Sequence, residues 1–277
     1  MMSNLEYVKK QFIEKLTAPK KPGRVCNVLF VIDVTASMLF GSPSRIHTVN
    51  SVLRDFFHNM FGEKKTRSVL RIGFVCVAYD VVMCSDFLSY EDYTKISKED
   101  MIYQNGYSSK QVAMKEDKIS DGKKEYVYRY PQFSVIAQKY DDEGTYISKG
   151  VDFGIDMLQE AVKRVGDNGC FPSHLFLLSD GNANTKNKAD LAPKEEDIRA
   201  ARKMEHYRSM DKTKKEMIVP VIVGIGEKDD INFDVIRVYS NGRDDYIHIT
   251  DGADKDGLES VRKLIIDTVK ATTNNRR

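Results

Sequence analysis

The chain has 277 residues and a formal net charge of +2, from 43 basic and 41 acidic residues. Its content of 41% hydrophobic and 30% charged residues fits a soluble globular protein with a sizeable core. The near balance of charge gives no global reason to expect binding to nucleic acid or to a membrane surface. No apolar run approaches the length of a membrane span, and the charged N-terminus does not fit a signal peptide. We therefore expect a cytoplasmic location.

The cysteines lie within or beside apolar runs and include no CxxC pair. This pattern argues against a zinc site and favours buried, reduced thiols. The four are Cys26, Cys76, Cys84 and Cys170.

Residues 1–24 are predicted to form a helix and a linker. Apolar side chains recur at helical spacing between residues 4 and 16, and Pro19-Lys20-Lys21-Pro22-Gly23 follows them. Such a stripe favours a short amphipathic helix that docks on the main body, with a membrane or partner helix as the alternative.

Residues 25–272 are predicted to form one domain. Buried strands are expected over 26–32, 69–77, 81–88, 173–179, 217–223 and 246–249. Helices are expected over 45–60, with Gly62 as a C-cap, and over 148–165, 195–210, 231–239 and 258–272. This alternation predicts an α/β fold with a doubly wound, mostly parallel sheet and helices on both faces. The short link between the second and third strands predicts one antiparallel strand, at an edge. Residues 273–277 are expected to be a disordered tail.

Residues 90–140 differ from the rest, being polar and rich in Lys and Tyr. Segments 111–118 and 124–130 flank Asp121-Gly122, a hairpin-turn signal. We predict an insertion with a β-hairpin that covers or extends the sheet edge near 81–88. Its tyrosines either form a contact surface or pack locally, and the sequence leaves both interpretations open. They are Tyr90, Tyr93, Tyr103, Tyr107, Tyr126, Tyr128, Tyr130 and Tyr140.

Oxygen-bearing side chains follow the predicted strand ends. The first strand stops at Asp33, and Thr35 and Ser37 follow at alternate positions; Thr145 precedes a predicted helix, and Asp180 follows strand 173–179. Open α/β sheets bind ligands at the carboxyl ends of their strands, so these five are expected to converge. Oxygen ligands suit a hard cation such as Mg²⁺. Taken alone, the first three also fit a strand-to-helix loop with an N-cap.

These motifs resemble the von Willebrand factor type A (vWA) domain and its metal-ion-dependent adhesion site. The family pattern is Asp-x-Ser-x-Ser-Met, then Gly-Thr, then an apolar strand that ends in Thr/Ser-Asp-Gly. The corresponding residues here are Asp33, Thr35, Ser37 and Met38, then Gly144 and Thr145, then Ser179, Asp180 and Gly181. The resemblance covers about residues 25–272, with two departures: Thr35 replaces the commoner Ser, and the minimal domain lacks the 90–140 insertion. Stand-alone intracellular bacterial members, such as those of tellurite-resistance operons, look nearest.

The resemblance implies a site for Mg²⁺ or Mn²⁺. Thr35, Ser37 and Thr145 would be neutral hydroxyl ligands, and Asp33 and Asp180 would act partly through water. Neutral direct ligands leave positive charge on the ion, so a Glu or Asp of a partner protein can enter its open position. The resemblance therefore implies a metal-dependent protein-binding module and not an enzyme, with neither nucleic acid nor membrane as a partner and an oligomeric state that the sequence leaves open.

Two alternatives compete with this interpretation. The first is a metal-dependent phosphoesterase-like hydrolase that uses the same strand-end site. Position 35 is Thr where the haloacid-dehalogenase-type motif needs a second Asp, and no P-loop is present. A hydrolase also needs a general base, and the histidines share no spacing, so we expect them to be structural. They are His47, His58, His174, His206 and His248. The second alternative is a scaffold subunit without a metal-dependent ligand.

Overall fold

The computed structural model describes residues 24–96, 102–104, 112–121, 124–135, 145–165, 169–182, 192–210, 216–243, 247–250 and 254–274. The helix predicted over residues 4–16 lies outside these ranges. Ten strands are numbered in chain order. They are β1 Cys26–Asp33, β2 Leu70–Val77, β3 Val81–Ser85, β4 Leu88–Ser89, β5 Ile102–Gln104, β6 Val112–Asp121, β7 Lys124–Phe133, β8 Ser173–Ser179, β9 Ile218–Ile225 and β10 Ile247–Thr250.

Five helices agree with the predicted segments to within a few residues at each end, and two short helices, Lys64–Arg67 and Tyr90–Lys95, were not predicted. The helices are α1 Arg45–Gly62, α2 Lys64–Arg67, α3 Tyr90–Lys95, α4 Ile147–Val165, α5 Glu195–Arg208, α6 Phe233–Tyr239 and α7 Lys255–Asn274, with 3₁₀ helices at Ala36–Leu39 and Lys228–Asp230. Gly62 is the last residue of α1 and not its C-cap, which is Glu63 in an extended conformation. The last helix runs two residues into the predicted tail, and the Thr273 hydroxyl there donates to the Val269 carbonyl at 3.0 Å.

The main sheet has eight strands in the order β10-β9-β8-β1-β2-β3-β5, with β4 paired to β2. Strand β1 is parallel to both β2 and β8, and β9 and β10 continue in parallel. Strand β3 runs antiparallel to β2, as the short connection predicted. The doubly wound, mostly parallel fold class is therefore confirmed. Strand β3 is not the edge, however, because β5 pairs with its outer side, so the insertion does extend the sheet there.

Apolar side chains fill the space on both faces of β1. Phe30 faces one layer, where its ring lies 5.1 Å from that of Phe56 on α1. Leu29 faces the other layer, which α4 covers. Gly154 of α4 is a close-approach position, since a Cβ there would lie 2.7 Å from the Leu29 side chain. This tight packing holds β1 and the loop that follows it against α4.

The predicted hairpin is present as β6 and β7, and it packs on α1. Asn50 of α1 bonds both backbone groups of Phe133 at 2.7 Å. Four tyrosines of the insertion are buried, which supports local packing over a contact surface for them. These are Tyr90, Tyr93, Tyr128 and Tyr130. The side chains of Tyr103, Tyr107 and Tyr140 lie outside the described set.

Two smaller expectations concern the cysteines and the helices. All four cysteines are free and buried, as predicted. In the described part of the chain, every helix is too short or too polar to cross a bilayer.

Candidate metal-binding site

The candidate site lies where β1 and β8 end side by side. The chain leaves β1 for β2 on one side, whereas β8 lies on the other, so this is a switch point of the kind at which open α/β sheets bind ligands. Asp33 is the last residue of β1, and Asp180 directly follows β8. Both side chains are 0% exposed. Buried carboxylates are unfavourable unless they are paired or hydrogen-bonded, so their partners define the site.

Hydroxyl groups surround Asp33. Its Oδ1 accepts from the Thr35 N–H at 2.9 Å and from the Thr35 hydroxyl at 2.6 Å. Its Oδ2 accepts from the Ser179 hydroxyl at 2.7 Å, and the Thr35 and Ser37 hydroxyl oxygens lie 3.1 Å apart. Thr35 occupies the N-cap position of the 3₁₀ helix Ala36–Leu39, but its side chain makes no capping bond. The segment is thus a strand-to-helix loop with Thr35 at the N-cap, but the Thr35 hydroxyl bonds Asp33 instead of the helix.

The electrostatics of the site are unfavourable without a cation. Burial raises the pKa of the Asp33 carboxyl to about 7, and the nearby charge of Asp180 acts in the same direction. Hydrogen bonds from Thr35 and Ser179 oppose the rise by stabilising the carboxylate. The two carboxylates repel each other. The Arg45 guanidinium beside Asp180 offsets part of this negative charge, and a bound divalent cation would offset more of it.

Asp180 is held by a backbone N–H of its own loop and by Arg45 at the start of α1. Its Oδ1 accepts from the Asn182 N–H at 2.9 Å. Its Oδ2 accepts from Arg45 Nη1 at 2.6 Å, and the same Nη1 donates to the Ser37 carbonyl at 3.2 Å. Arg45 therefore ties the loop after β1 to the loop after β8.

Thr145 reaches the site indirectly. It lies two residues before α4 and is half-buried, and its hydroxyl donates to the Asn182 carbonyl at 2.9 Å. Asn182 also donates to the carbonyl of Asp230 at 2.7 Å. The structure therefore gathers Asp33, Thr35 and Ser37 into one hydrogen-bonded group, whereas Thr145 joins it through the loop after β8. Gly144 lies outside the described residues.

Sequence reasoning missed two contributors. Ser179 belongs to the Thr/Ser-Asp-Gly motif, and its place beside Asp180 was the available signal for its bond to Asp33. The position of Arg45 could have indicated its role. It is the first residue of α1, where the helix dipole disfavours a cation. Such a residue needs nearby carboxylates, and Asp180 and Asp230 supply them.

The donor set fits a hard divalent cation better than a soft one. Among the described residues, no three His, Cys, Asp or Glu side chains converge as a metal-ligand group. The candidate ligands are instead two carboxylates with hydroxyls. The Thr35 hydroxyl gives its proton to Asp33, so its lone pairs remain for another partner. Oxygen donors of this kind suit Mg²⁺ or Mn²⁺ and not Zn²⁺ or Cu²⁺.

Three of the five histidines that a hydrolase could use as a base have contacts elsewhere in the fold. His174 is buried within β8, and burial lowers its pKa to about 3. His58 lies 3.2 Å from Asp117 on the hairpin. The ring of His206 contacts that of Tyr207 on α5. These positions give the three histidines contacts of their own, away from Asp33.

The apolar residues beside the site are unusually exposed. Leu39 and Phe40 follow Ser37 and Met38 on the same loop, and their side chains are 58% and 63% exposed. Their backbone is nevertheless fixed, because the Phe40 N–H donates to the Ser37 carbonyl and the Phe40 carbonyl accepts from the Arg45 N–H, at 3.1 and 3.0 Å. A cavity of about 520 Å³ is lined by Asn182, from the loop after β8, and by three carboxylates, Asp229, Asp230 and Asp234.

Comparisons with known proteins give similar structures but no matching sequence. No protein-family model and no curated protein matches the chain. The open conformation of the SpaC pilus adhesin from Lactobacillus rhamnosus GG is similar at TM-score 0.48 and 12% identity, over 92% of this chain and 31% of the adhesin. The PilB minor pilin from Streptococcus sanguinis is similar at TM-score 0.48 and 8% identity, over 91% of this chain and 63% of the pilin.

The third comparison is with a single domain. The SpRpn10 VWA domain is similar at TM-score 0.41 and 12% identity, over 87% of this chain and 95% of that domain. This chain thus spans about a third of the adhesin, less than two thirds of the pilin and nearly all of the VWA domain. At such low identities and TM-scores, function has to be judged from the residues of this chain.

Proposed function

We propose that this protein is a metal-dependent protein-binding module that captures an acidic side chain of a partner protein. The observation that carries the proposal is the buried group around Asp33, where two carboxylates and several hydroxyls meet at the switch point of the sheet. The resemblance of the three sequence motifs to the vWA adhesion site supports it. The stand-alone intracellular bacterial proteins with vWA domains are the parallel that we propose for this chain.

The residues would divide their roles by charge. Thr35, Ser37 and Thr145 would hold Mg²⁺ or Mn²⁺ through neutral hydroxyl oxygens, and Asp33 and Asp180 would orient the surrounding groups. When bound, the ion would supply an open coordination position for a carboxylate oxygen. Asp33 receives two hydroxyl protons, which fixes the direction of both donors before any ion arrives. Hydrogen bonds that orient the ligands of a metal in this way strengthen its binding.

The surroundings indicate the direction from which a partner would approach. The carboxylates of Asp229 and Asp234, which line the cavity beside Asn182, would repel an acidic partner that approached across them. Leu39 and Phe40, on the loop after β1, offer apolar surface instead. We therefore expect the partner to place its Asp or Glu over the site and an apolar side chain against Leu39 and Phe40.

Melting temperature with Mg²⁺ or Mn²⁺ against EDTA is the first test. A ligand that binds only the native state stabilises it, by about 2.7 kcal/mol at a concentration of about 100 Kd. Asp33→Ala should abolish the shift. Without metal its net effect on stability should be small, because it removes one of two repelling carboxylates but also takes the acceptor from the Thr35 and Ser179 donors. Thr145→Ala should reduce or abolish the shift with the fold intact.

A matched control is available in Asp197, another buried carboxylate, which lies on α5 and accepts from the Tyr239 hydroxyl at 2.6 Å. Asp197→Ala should destabilise the protein but keep the metal-induced shift. An unchanged melting temperature at millimolar metal in the wild type would count against the site. A partner retained by Asp33→Ala in EDTA would show that no metal bridges the contact.

A further inference from the structure

Arg45 is a buried cation within the candidate site. Its side chain is 6% exposed, and it lies 2.6 Å from Asp180 Oδ2, which is fully buried. Nη2 lies 3.1 Å from Asp230 Oδ2, whose side chain is 58% exposed. Nη1 also donates to the backbone carbonyl of Ser37. The guanidinium therefore contacts two of the three segments that carry the proposed metal ligands, the loops after β1 and β8.

The fold makes room for this guanidinium. Gly226, just after β9, has a φ of +140°, and a Cβ at this position would lie 2.7 Å from Arg45 Nε. Any side chain there would push the arginine away from Asp180. Arg45 Nε has no hydrogen-bond partner among the described residues, so the arginine is held by its two terminal nitrogens. The lack of a side chain at Gly226 therefore leaves room for the Arg45 guanidinium beside Asp180.

The charges of the site can be counted with and without Arg45. Asp33 and Asp180 as carboxylates carry −2, and Arg45 brings the buried group to −1. Asp230 is mostly exposed, so solvent screens its charge. A divalent ion would bring the group to +1 with Arg45 present, but only to zero without it. With Arg45 and the divalent ion both present, one partner carboxylate would neutralise the remaining charge of +1.

We propose that Arg45 is the specificity-determining cation of this site, weakening divalent-metal binding and making the loaded site select a carboxylate. The inference rests on the proposed function and deepens it, since it states which residue makes an acidic partner necessary. Arg45 does not contact the partner in this scheme. It acts through Asp180 and through the net charge of the site, and it is therefore a positioning residue.

Mn²⁺ affinity measured by calorimetry tests the proposal with the metal alone as the probe. Arg45→Gln removes the charge and should tighten Mn²⁺ binding by about tenfold or more, because a like charge within a few ångströms of the ion is lost. Arg45→Lys keeps the charge and should stay within about threefold of the wild type by the same reasoning. A purely structural role would perturb both variants alike.

A matched control uses Arg262, another largely buried arginine, which pairs with Asp55 at 2.8 Å between α7 and α1. Arg262→Gln changes the net charge of the protein by the same amount but leaves the site alone, so its Mn²⁺ affinity should not change. A second readout uses acetate, with acetamide as the uncharged control. Acetate should raise the Mn²⁺ affinity of the wild type more than that of Arg45→Gln, as binding linkage requires.

The outcomes separate this inference from the proposed function. Wild-type Mn²⁺ binding that Arg45→Gln leaves unchanged or weakens would overturn the role of Arg45 and keep the metal site. Mn²⁺ binding to Arg45→Gln but not to the wild type would support the inference that Arg45 weakens metal binding. It would overturn the proposal that the wild-type protein works through a bound metal. Binding in neither protein, with both folded by circular dichroism, would overturn both proposals.

Discussion

The strand-end site and the hairpin of β6 and β7 both attach to α1, but by opposite kinds of contact. At the start of the helix, Arg45 joins two loops through charged hydrogen bonds to Asp180 and Asp230. Further along, Phe57 lies under the hairpin, with its ring 4.9 Å from that of Tyr93 and 5.7 Å from that of Tyr130. Apolar burial stabilises the second region strongly, whereas buried ion pairs contribute little net stability.

Because the two regions are held by different kinds of contact, stability and metal binding should depend on different residues. Changes under the hairpin should alter the free energy of unfolding and leave metal affinity unchanged. Changes at the strand ends should alter metal affinity, whatever their effect on the free energy of unfolding. The four predictions below test that separation, beginning with the largest effect on stability.

Truncating Phe57 should give the largest loss of stability. The residue is fully buried among aromatic rings, and Phe57→Ala would leave a cavity between α1 and the hairpin. A loss of about 3–5 kcal/mol is expected from urea unfolding. The control Val127→Ala alters a hairpin side chain that is 39% exposed and should change stability by less than about 0.5 kcal/mol. A loss below about 1 kcal/mol for Phe57→Ala would contradict the importance of this packing.

Much of the fold is readable from the sequence because the buried strands are unbroken apolar runs. The strand predicted over 173–179 coincides with β8, and the predicted start of β1 at Cys26 is also observed. The hairpin was readable because Asp121-Gly122 is a local turn signal. The site depended on a topological rule, which placed Asp33 and Asp180 at neighbouring strand ends.

Other features could not be predicted from the sequence, because they depend on contacts between residues that are far apart in the chain. The bond of Ser179 to Asp33 and the pairing of Arg45 with Asp180 join loops that are far apart in the chain. The pairing of β5 with β3 involves only three residues in β5, too few to give a periodic pattern. The position of the hairpin on α1 likewise follows from packing, and local sequence carries no signal for it.

His174 is a second buried ionisable residue on the strand that ends before Asp180, and it lies near the start of β8. Unlike Asp180, it is buried without a hydrogen-bond partner for either ring nitrogen among the described residues, and its ring stacks on Phe176 at 6.1 Å. Its pKa falls from 6.5 to about 3 on burial. Below pH 6.5 the unfolded chain takes up a proton that the folded state excludes, so stability falls as the pH drops toward 3.

At pH 5 this loss should be about 2 kcal/mol relative to neutral pH. His174→Phe keeps an aromatic ring and removes the titration, so the variant should lose less stability than the wild type between neutral pH and pH 5. Urea unfolding at both values measures the difference. Equal losses in the two proteins would show that other groups dominate acid unfolding.

Asn50 is the polar attachment of the hairpin to α1. Its side-chain amide bonds the N–H and the carbonyl of Phe133, both at 2.7 Å. Asn50→Ala should reduce stability by about 1–2 kcal/mol, because two backbone groups lose their partner. Hydrogen exchange should accelerate in β7, with Mn²⁺ affinity unchanged. Asn59→Ala, at an exposed position on the same helix, is the control, and unchanged exchange in β7 would contradict the attachment role.

The exposed pair Leu39 and Phe40 should have the smallest effect on stability and a large effect on binding. Their side chains are 58% and 63% exposed, so Leu39→Ser with Phe40→Ser should change the free energy of unfolding by less than about 0.5 kcal/mol. Mn²⁺ affinity should also stay unchanged, because the loop backbone keeps its bonds to Ser37 and Arg45.

The readout for that double variant is a peptide library selected on the protein in Mn²⁺ and again in EDTA. The wild type should enrich peptides with Asp or Glu beside a large apolar residue, in Mn²⁺ only, because aromatic and aliphatic contacts around a buried charge contribute most of the affinity. The double variant should lose the apolar preference and keep the acidic one. Ile198→Ser on α5, at a side chain that is 40% exposed, is the matched control and should select as the wild type does. Retention of the apolar preference in the double variant would place the apolar contact elsewhere on the surface, away from the loop after β1.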